Sequence, residues 1–254
     1  MLRILLLGGL LASGSLSAMD LQGKLDWGRR IELGTVLNGM VTRVHVEPGD
    51  EVARGTLLVE LDQRSLRATL ASAEAKVALS RLQQAEAGRE LDRTLELYDR
   101  TLLSDHEKQQ AEIAAAGADA QLRQAEAEVT RLRSKLDYSR ITAPFDGLVA
   151  AVSVQPGQPL VNRLQPVPVV TLVEVSRMRA VAGIDAATAR TLKPGTRLKI
   201  GLRQQWLDGE LASIGLEPVA GASTEGLYRL EAWITPPREL GLRAGETLVV
   251  RIDE

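Results

Sequence analysis

Residues 39–52 and 147–160 repeat one another without a gap, GMVTRVHVEPGDEV against GLVAAVSVQPGQPL, at an offset of 108 residues. Gly39/Gly147, Val41/Val149, Val44/Val152, Val46/Val154, Pro48/Pro156 and Gly49/Gly157 coincide. Each copy alternates apolar and polar side chains, the period of a half-buried strand, and then turns at Pro-Gly. Two such copies separated by a long insert predict one small β domain built from two chain segments, 38–62 and 138–171.

The insert, 63–137, has a different texture. It lacks proline, holds only Gly88 and Gly117, and is rich in Ala, Glu, Gln, Arg and Leu, all residues that favour helix apart from those glycines. Ala111, Ala115, Ala118, Leu122, Ala125, Val129, Leu132 and Leu136 follow alternating spacings of four and three, the seam of a left-handed coiled coil. Leu66, Leu70, Ala73 and Val77 open a similar seam, which blurs through Ser80, Gln84 and Ala87 before Leu91. Ser104-Asp105-His106-Glu107 reads as a capping box that opens a second helix. Two antiparallel helices, about 64–100 and 105–137, are predicted. At 1.5 Å per residue they form an arm of roughly 50 Å, and such an arm invites lateral packing against further copies of the chain.

Beyond Tyr138 come short alternating runs at 169–173, 178–182, 198–202, 228–232 and 248–252, with turns at Pro194-Gly195 and Ala244-Gly245. Asp185 to Leu192 has room for a helical turn or two. Residues 172–254 therefore predict a small β-barrel, and 19–37, with patches at Ile31-Glu32-Leu33 and Thr35-Val36-Leu37, is expected to supply strands that join it. Residues 1–18 have Arg3, an apolar stretch from 4 to 12 and a small-residue end at Ala18. They read as a secretory signal peptide, being shorter than the ~20 residues a membrane span needs. The expected fold class is thus mixed α and β, elongated: a split β sandwich with an inserted antiparallel helical hairpin, followed by a barrel.

Composition narrows function. Thirty-one basic against 33 acidic residues give a net charge of −2, which does not suit a nucleic-acid binder held by general electrostatics. With no cysteine, two histidines and four methionines, soft metal ligands are few, and neither a metal nor another cofactor is expected. Asp50 lies in a Pro-Gly-Asp turn, Asp62 opens a helix and Asp146 sits beside Gly147, so each carboxylate has a structural explanation. His45 falls on an outward strand position and His106 in a capped first turn. Neither has an evident Ser or Asp partner, and no phosphate-binding loop occurs. A catalytic role is not expected.

The order of these units resembles the periplasmic adaptor (membrane fusion protein, haemolysin-D-like) family of tripartite efflux pumps. The resemblance rests on Gly39-x-Val41-x-x-Val44-x-Val46-x-Pro48-Gly49-Asp50-x-Val52-x-x-Gly55, continuing to Leu61-Asp62. Ala143-Pro144-Phe145-Asp146-Gly147-x-Val149 and the barrel turns Lys193-Pro194-Gly195 and Leu242-Arg243-Ala244-Gly245 extend it. It implies a lipoyl-like sandwich at 38–62 and 138–171. It also implies a periplasmic, inner-membrane-associated subunit that bridges an inner-membrane transporter, of the proton-driven resistance-nodulation-division type, to an outer-membrane channel. A homo-oligomer, hexameric by the same resemblance, is expected. Arg93, Leu97 and Ser104 match the spacing of the family's tip motif, which implies channel docking. Each also has a local reading: Arg93 as a solvated helix charge, Leu97 as seam, Ser104 as N-cap. The last predicted barrel strand ends close to Glu254, so contact with the transporter is expected to rest mainly on the barrel or on a partner subunit.

Three alternatives compete. A biotinyl or lipoyl carrier needs a displayed lysine, and 38–62 and 143–161 contain none. A secreted coiled-coil structural protein has no need of helices set between two halves of a β unit. An adaptor for an ATP-driven exporter fits the same architecture and tip motif.

Overall fold

The computed structural model describes residues 19–161, 167–219 and 226–252; the predicted leader, 1–18, lies outside them. The chain divides into two compact units, one from residues up to 30 together with those from 173 onward, the other from 31–172.

The first unit opens with β1 (Met19–Trp27), and the second with β2 (Arg30–Leu33), which begins at the division. Then follow β3 (Gly39–Val44), β4 (Glu51–Val52) and β5 (Leu57–Leu61). Helices α1 (Arg64–Asp99) and α2 (Asp105–Tyr138) come next. The chain returns through β6 (Arg140–Thr142), β7 (Gly147–Val152), β8 (Pro159–Leu160) and β9 (Val170–Val173). These strands form two four-stranded sheets, ordered β2-β9-β7-β4 and β6-β5-β3-β8.

The repeat becomes an approximate two-fold in which the copies exchange strands. Gly39 pairs with Leu160, and, 108 residues on, Gly147 pairs with Val52. Gly49 N–H donates to the Val149 carbonyl at 2.8 Å, and Gly157 N–H donates to that of Val41 at 2.8 Å. Even a side-chain role is copied. Asp50 Oδ2 accepts from Glu47 N–H at 2.8 Å and Gln158 Oε1 from Gln155 N–H at 3.1 Å. Gly49 and Gly157 have φ of +103° and +84°, the left-handed turn conformation that glycine adopts without strain. Val41 and Val149 are each 1% exposed, and Val46/Val154 and Val52/Leu160 join them in one core. Neither copy closes this core alone, which is why the domain needs both ends of the insert.

The insert is held at its base. β5 and β6 pair antiparallel just before α1 and just after α2. Leu61 N–H donates to the Ser139 carbonyl at 2.9 Å and Asp62 N–H to that of Met40 at 2.9 Å. Thr35 Oγ1 donates to the carbonyl of Tyr138 at 2.7 Å, satisfying one of the free carbonyls at the end of α2. With 36 residues, α1 runs about 54 Å.

Leu122, Ala125, Val129 and Leu132 of the anticipated α2 seam are buried. In α1 the seam continues through the stretch where the sequence blurs. Ser80 is 1% exposed and Thr94 6%, while Gln84, Ala87, Leu91 and Tyr98 are half-buried on the same 3-4 spacing. The geometry is regular and only the chemistry changes.

In the other unit, β10 (Met178–Ile184) precedes a short helix, α3 (Ala186–Thr191), capped by Asp185. Strands β11 (Arg197–Leu202), β12 (Gln205–Pro218), β13 (Tyr228–Ile234) and β14 (Thr247–Ile252) follow. They close with β1 into a six-stranded antiparallel barrel, β1-β10-β13-β12-β11-β14. Every second residue points inward: Met178, Ala180, Ala182 and Ile184 on β10, and Leu248, Val250 and Ile252 on β14.

Three sequence readings are revised. Within 19–37 only β1 joins the barrel; β2 lies beside β9 in the sandwich. The run at 169–173, read with the barrel strands, becomes β9, an inner strand of that sheet whose four residues are all buried. With both faces buried, the run carries no wet face to tell which sheet it joins. Strand β12 was not anticipated, because glycines and register shifts against β13 interrupt its pattern.

Candidate functional site: the tip of the helical hairpin

Five residues, 100–104, join α1 to α2. Thr101 N–H donates to the Tyr98 carbonyl at 2.8 Å, and Leu102 N–H to the Leu97 carbonyl at 3.0 Å. This is a Schellman end, with Thr101 at the left-handed position and φ of +59°. Glycine usually stands there, and its absence left the turn without a sequence signal.

The start of α2 is the expected capping box. Ser104 Oγ accepts from Glu107 N–H at 3.4 Å, and Glu107 Oε2 accepts from Ser104 N–H at 2.8 Å and from Ser104 Oγ at 2.7 Å. The bond from the Ser104 backbone holds the Glu107 carboxyl below its ordinary pKa, with the hydroxyl bond second. Across the turn Tyr98 Oη donates to Asp105 Oδ1 at 2.6 Å, which raises the phenol's pKa. Lys108 Nζ sits 4.8 Å from the centre of the Tyr98 ring. A Tyr98–Asp105 clasp thus joins the two helices, and nothing in the sequence pattern marked it.

Arg93 and Leu97 lie four residues apart on one helix face. Arg93 is exposed, and its Nη1 lies 3.3 Å from Glu90 Oε2. Leu97 is half-buried beside the seam, whose positions here are Thr94 and Tyr98, so its reading as a seam residue is corrected. Ser104 is exposed. Between them Leu102 is 66% exposed, a large apolar side chain at the crown of the turn that the sequence reading passed over.

Elsewhere the carboxylates serve the backbone. Asp146 Oδ1 accepts from Arg54 N–H at 2.7 Å. Asp62 Oδ1 accepts from Arg64 N–H at 3.0 Å, and the Arg64 guanidinium bonds hold its carboxyl at about 2. His45 and His106 are exposed. Among the described residues no cluster of three or more His, Asp or Glu side chains could hold a metal ion, and no helix is long and apolar enough to cross a membrane.

Comparisons with known proteins agree with this architecture. The macrolide export protein MacA of Yersinia pestis is 30% identical over 189 residues, 69% of this chain and 51% of that protein. The pyoverdine export membrane fusion protein PvdR of Pseudomonas aeruginosa is 30% identical over 202 residues, 70% of this chain and 49% of that one. The chain thus spans about half the length of the curated relatives it matches. The crystal structure of MacA from Actinobacillus actinomycetemcomitans superposes with a TM-score of 0.71 at 22% identity, over 92% of this chain and 78% of that one; this shows a shared fold. The family model for the barrel-sandwich hybrid domain of RND membrane fusion proteins (RND MFP) matches residues 29–173, more than half of the chain. The strand-exchanged sandwich, the inserted hairpin and this match together make the chain a member of the RND membrane fusion protein family.

Proposed function

We propose that the protein is a periplasmic adaptor of a tripartite efflux pump. It bridges an inner-membrane transporter to an outer-membrane channel and carries out no bond chemistry itself. The observation that carries this reading is the two-helix arm of about 54 Å, clamped at its base to a sandwich and ending in a tight turn. Such an arm does mechanical work, reaching a partner that the globular part cannot touch. The exported cargoes in the names of MacA and PvdR support an export role, and the RND type of the family model supports a proton-driven transporter. The arm docks the channel at the tip marked by Arg93, Leu97 and Ser104, and several copies, six by family resemblance, pack side by side to enclose the path. No nucleic acid takes part.

The test is a cysteine cross-link from Arg93→Cys in cells. Capture of an outer-membrane channel is the expected result; adducts between copies of the chain alone would return the hairpin to a purely structural role. A protonophore separates the transporter types. Export that stops with the proton gradient fits the resistance-nodulation-division partner, and export that persists until ATP is depleted fits the ATP-driven alternative.

A further inference from the structure

Within the docking reading of the tip, on which the inference rests, we propose that Ser104 is a positioning residue and that Leu102 is the side chain the channel reads. The Ser104 hydroxyl is already engaged twice, accepting from Glu107 N–H and donating to Glu107 Oε2. Its one proton is committed to Glu107 Oε2, so donating to a partner would cost that bond. What the box does is fix the chain direction at the end of the turn. The other end is fixed by the Schellman bonds from Thr101 and Leu102 to Tyr98 and Leu97, and the two ends are joined by the Tyr98–Asp105 bond.

The five-residue turn is therefore rigid, and it holds Leu102 outward at 66% exposure, while Leu103 is half-buried. A leucine that a strained turn keeps out of its own hairpin suits an apolar recess on the channel it meets. Arg93, about 9 Å below the end of α1 along its axis, supplies the neighbouring charge. Recognition then divides between an apolar crown and a cationic flank, with the serine acting through the backbone.

The full chain tests this with Ser104→Asn, Ser104→Ala and Leu102→Glu, each also placed in the background of a cross-linking cysteine at exposed Glu96 (Glu96→Cys), which leaves Arg93 in place. Asparagine keeps a cap acceptor and a donor for Glu107 but has no hydroxyl. Hydrogen exchange at amides 107 and 108, both bonded to Ser104, should quicken about fivefold in Ser104→Ala and stay at the parent rate in Ser104→Asn and Leu102→Glu. The yield of channel adduct should fall in Ser104→Ala, recover in Ser104→Asn, and vanish in Leu102→Glu. Adduct lost in Ser104→Asn while exchange is normal would mean that Ser104 itself touches the channel, overturning its positioning role. Unchanged exchange in Ser104→Ala would overturn it equally, and a full adduct yield in Leu102→Glu would remove Leu102 from the interface. If the parent gives no channel adduct at all, the docking reading falls with the assignment of Leu102, and the exchange data still decide whether Ser104 positions the tip.

Discussion

Thr101 holds a conformation that β-branched residues rarely adopt. At φ of +59° its side chain crowds the neighbouring carbonyl, a cost of roughly 1–2 kcal/mol that glycine escapes. Thr101→Gly should therefore raise hairpin stability by about 1 kcal/mol, less than the full relief because glycine also loosens the unfolded chain. Chemical denaturation followed by far-UV dichroism checks it, and a loss of stability would show that the turn gains something from threonine. Glu107 gives the tip a pH dependence. Its folded pKa is depressed, so its contribution is present above the unfolded value of 4.5 and is lost as pH falls through the folded one. Exchange at the Glu107 and Lys108 amides, taken relative to the free-chain rate at each pH, should rise below about pH 4.5. In Glu107→Gln, which has no carboxylate to protonate, that acid step should disappear.

At the scale of the element, the hairpin joins one apolar face to one mixed face. α2 contributes Leu122, Val129 and Leu132, whereas α1 contributes Ser80 and Thr94 at equivalent seam positions. Ser80 Oγ is buried without a hydrogen-bond partner, which costs about 1–3 kcal/mol. Ser80→Ala should stabilise the hairpin by about 1 kcal/mol in urea denaturation, the small change in volume leaving the packing intact. A destabilisation would mean that the hydroxyl has a partner in solution. The same position shows where sequence reading reached its limit. The α2 heptad was legible because every seam residue is apolar. The α1 heptad was lost at Ser80 because a hydroxyl at a seam position looks like a break, although the spacing never changes. The barrel strands with one wet face declared themselves by alternation, whereas β9 was legible as a strand but not as part of the sandwich, since burial of all four residues leaves no wet face to orient it. At the tip the capping box was readable as Ser-x-x-Glu. The Schellman turn and the clasp were not, since one lacks its glycine and the other depends on two helix ends meeting across the turn.

Over the whole molecule both units are assembled from both ends of the chain. The barrel takes β1 from before the hairpin and five strands from after it, and the sandwich interleaves β3, β4 and β5 with β6, β7 and β8. No stretch on one side of the hairpin completes either core. A break in the chain at 100–103 would sever the turn while leaving every strand pairing available, since loop connections contribute mainly entropy. Fragments 19–100 and 104–252 expressed separately should each fail to fold, because each lacks strands that cover its apolar residues. Expressed together they should copurify with the sheet content of the intact chain, losing stability through the broken connection and through the tip bonds that the cut removes. The arrangement also means that force applied at the tip is delivered through α1 and α2 to β5 and β6, which are paired to each other at the hairpin base. A pull on the arm would thus load two adjacent strands of one sheet in parallel, so the arm would stay anchored even when the tip is cut. Failure of the two fragments to associate, with each instead folding alone, would show that the exchanged strands are dispensable.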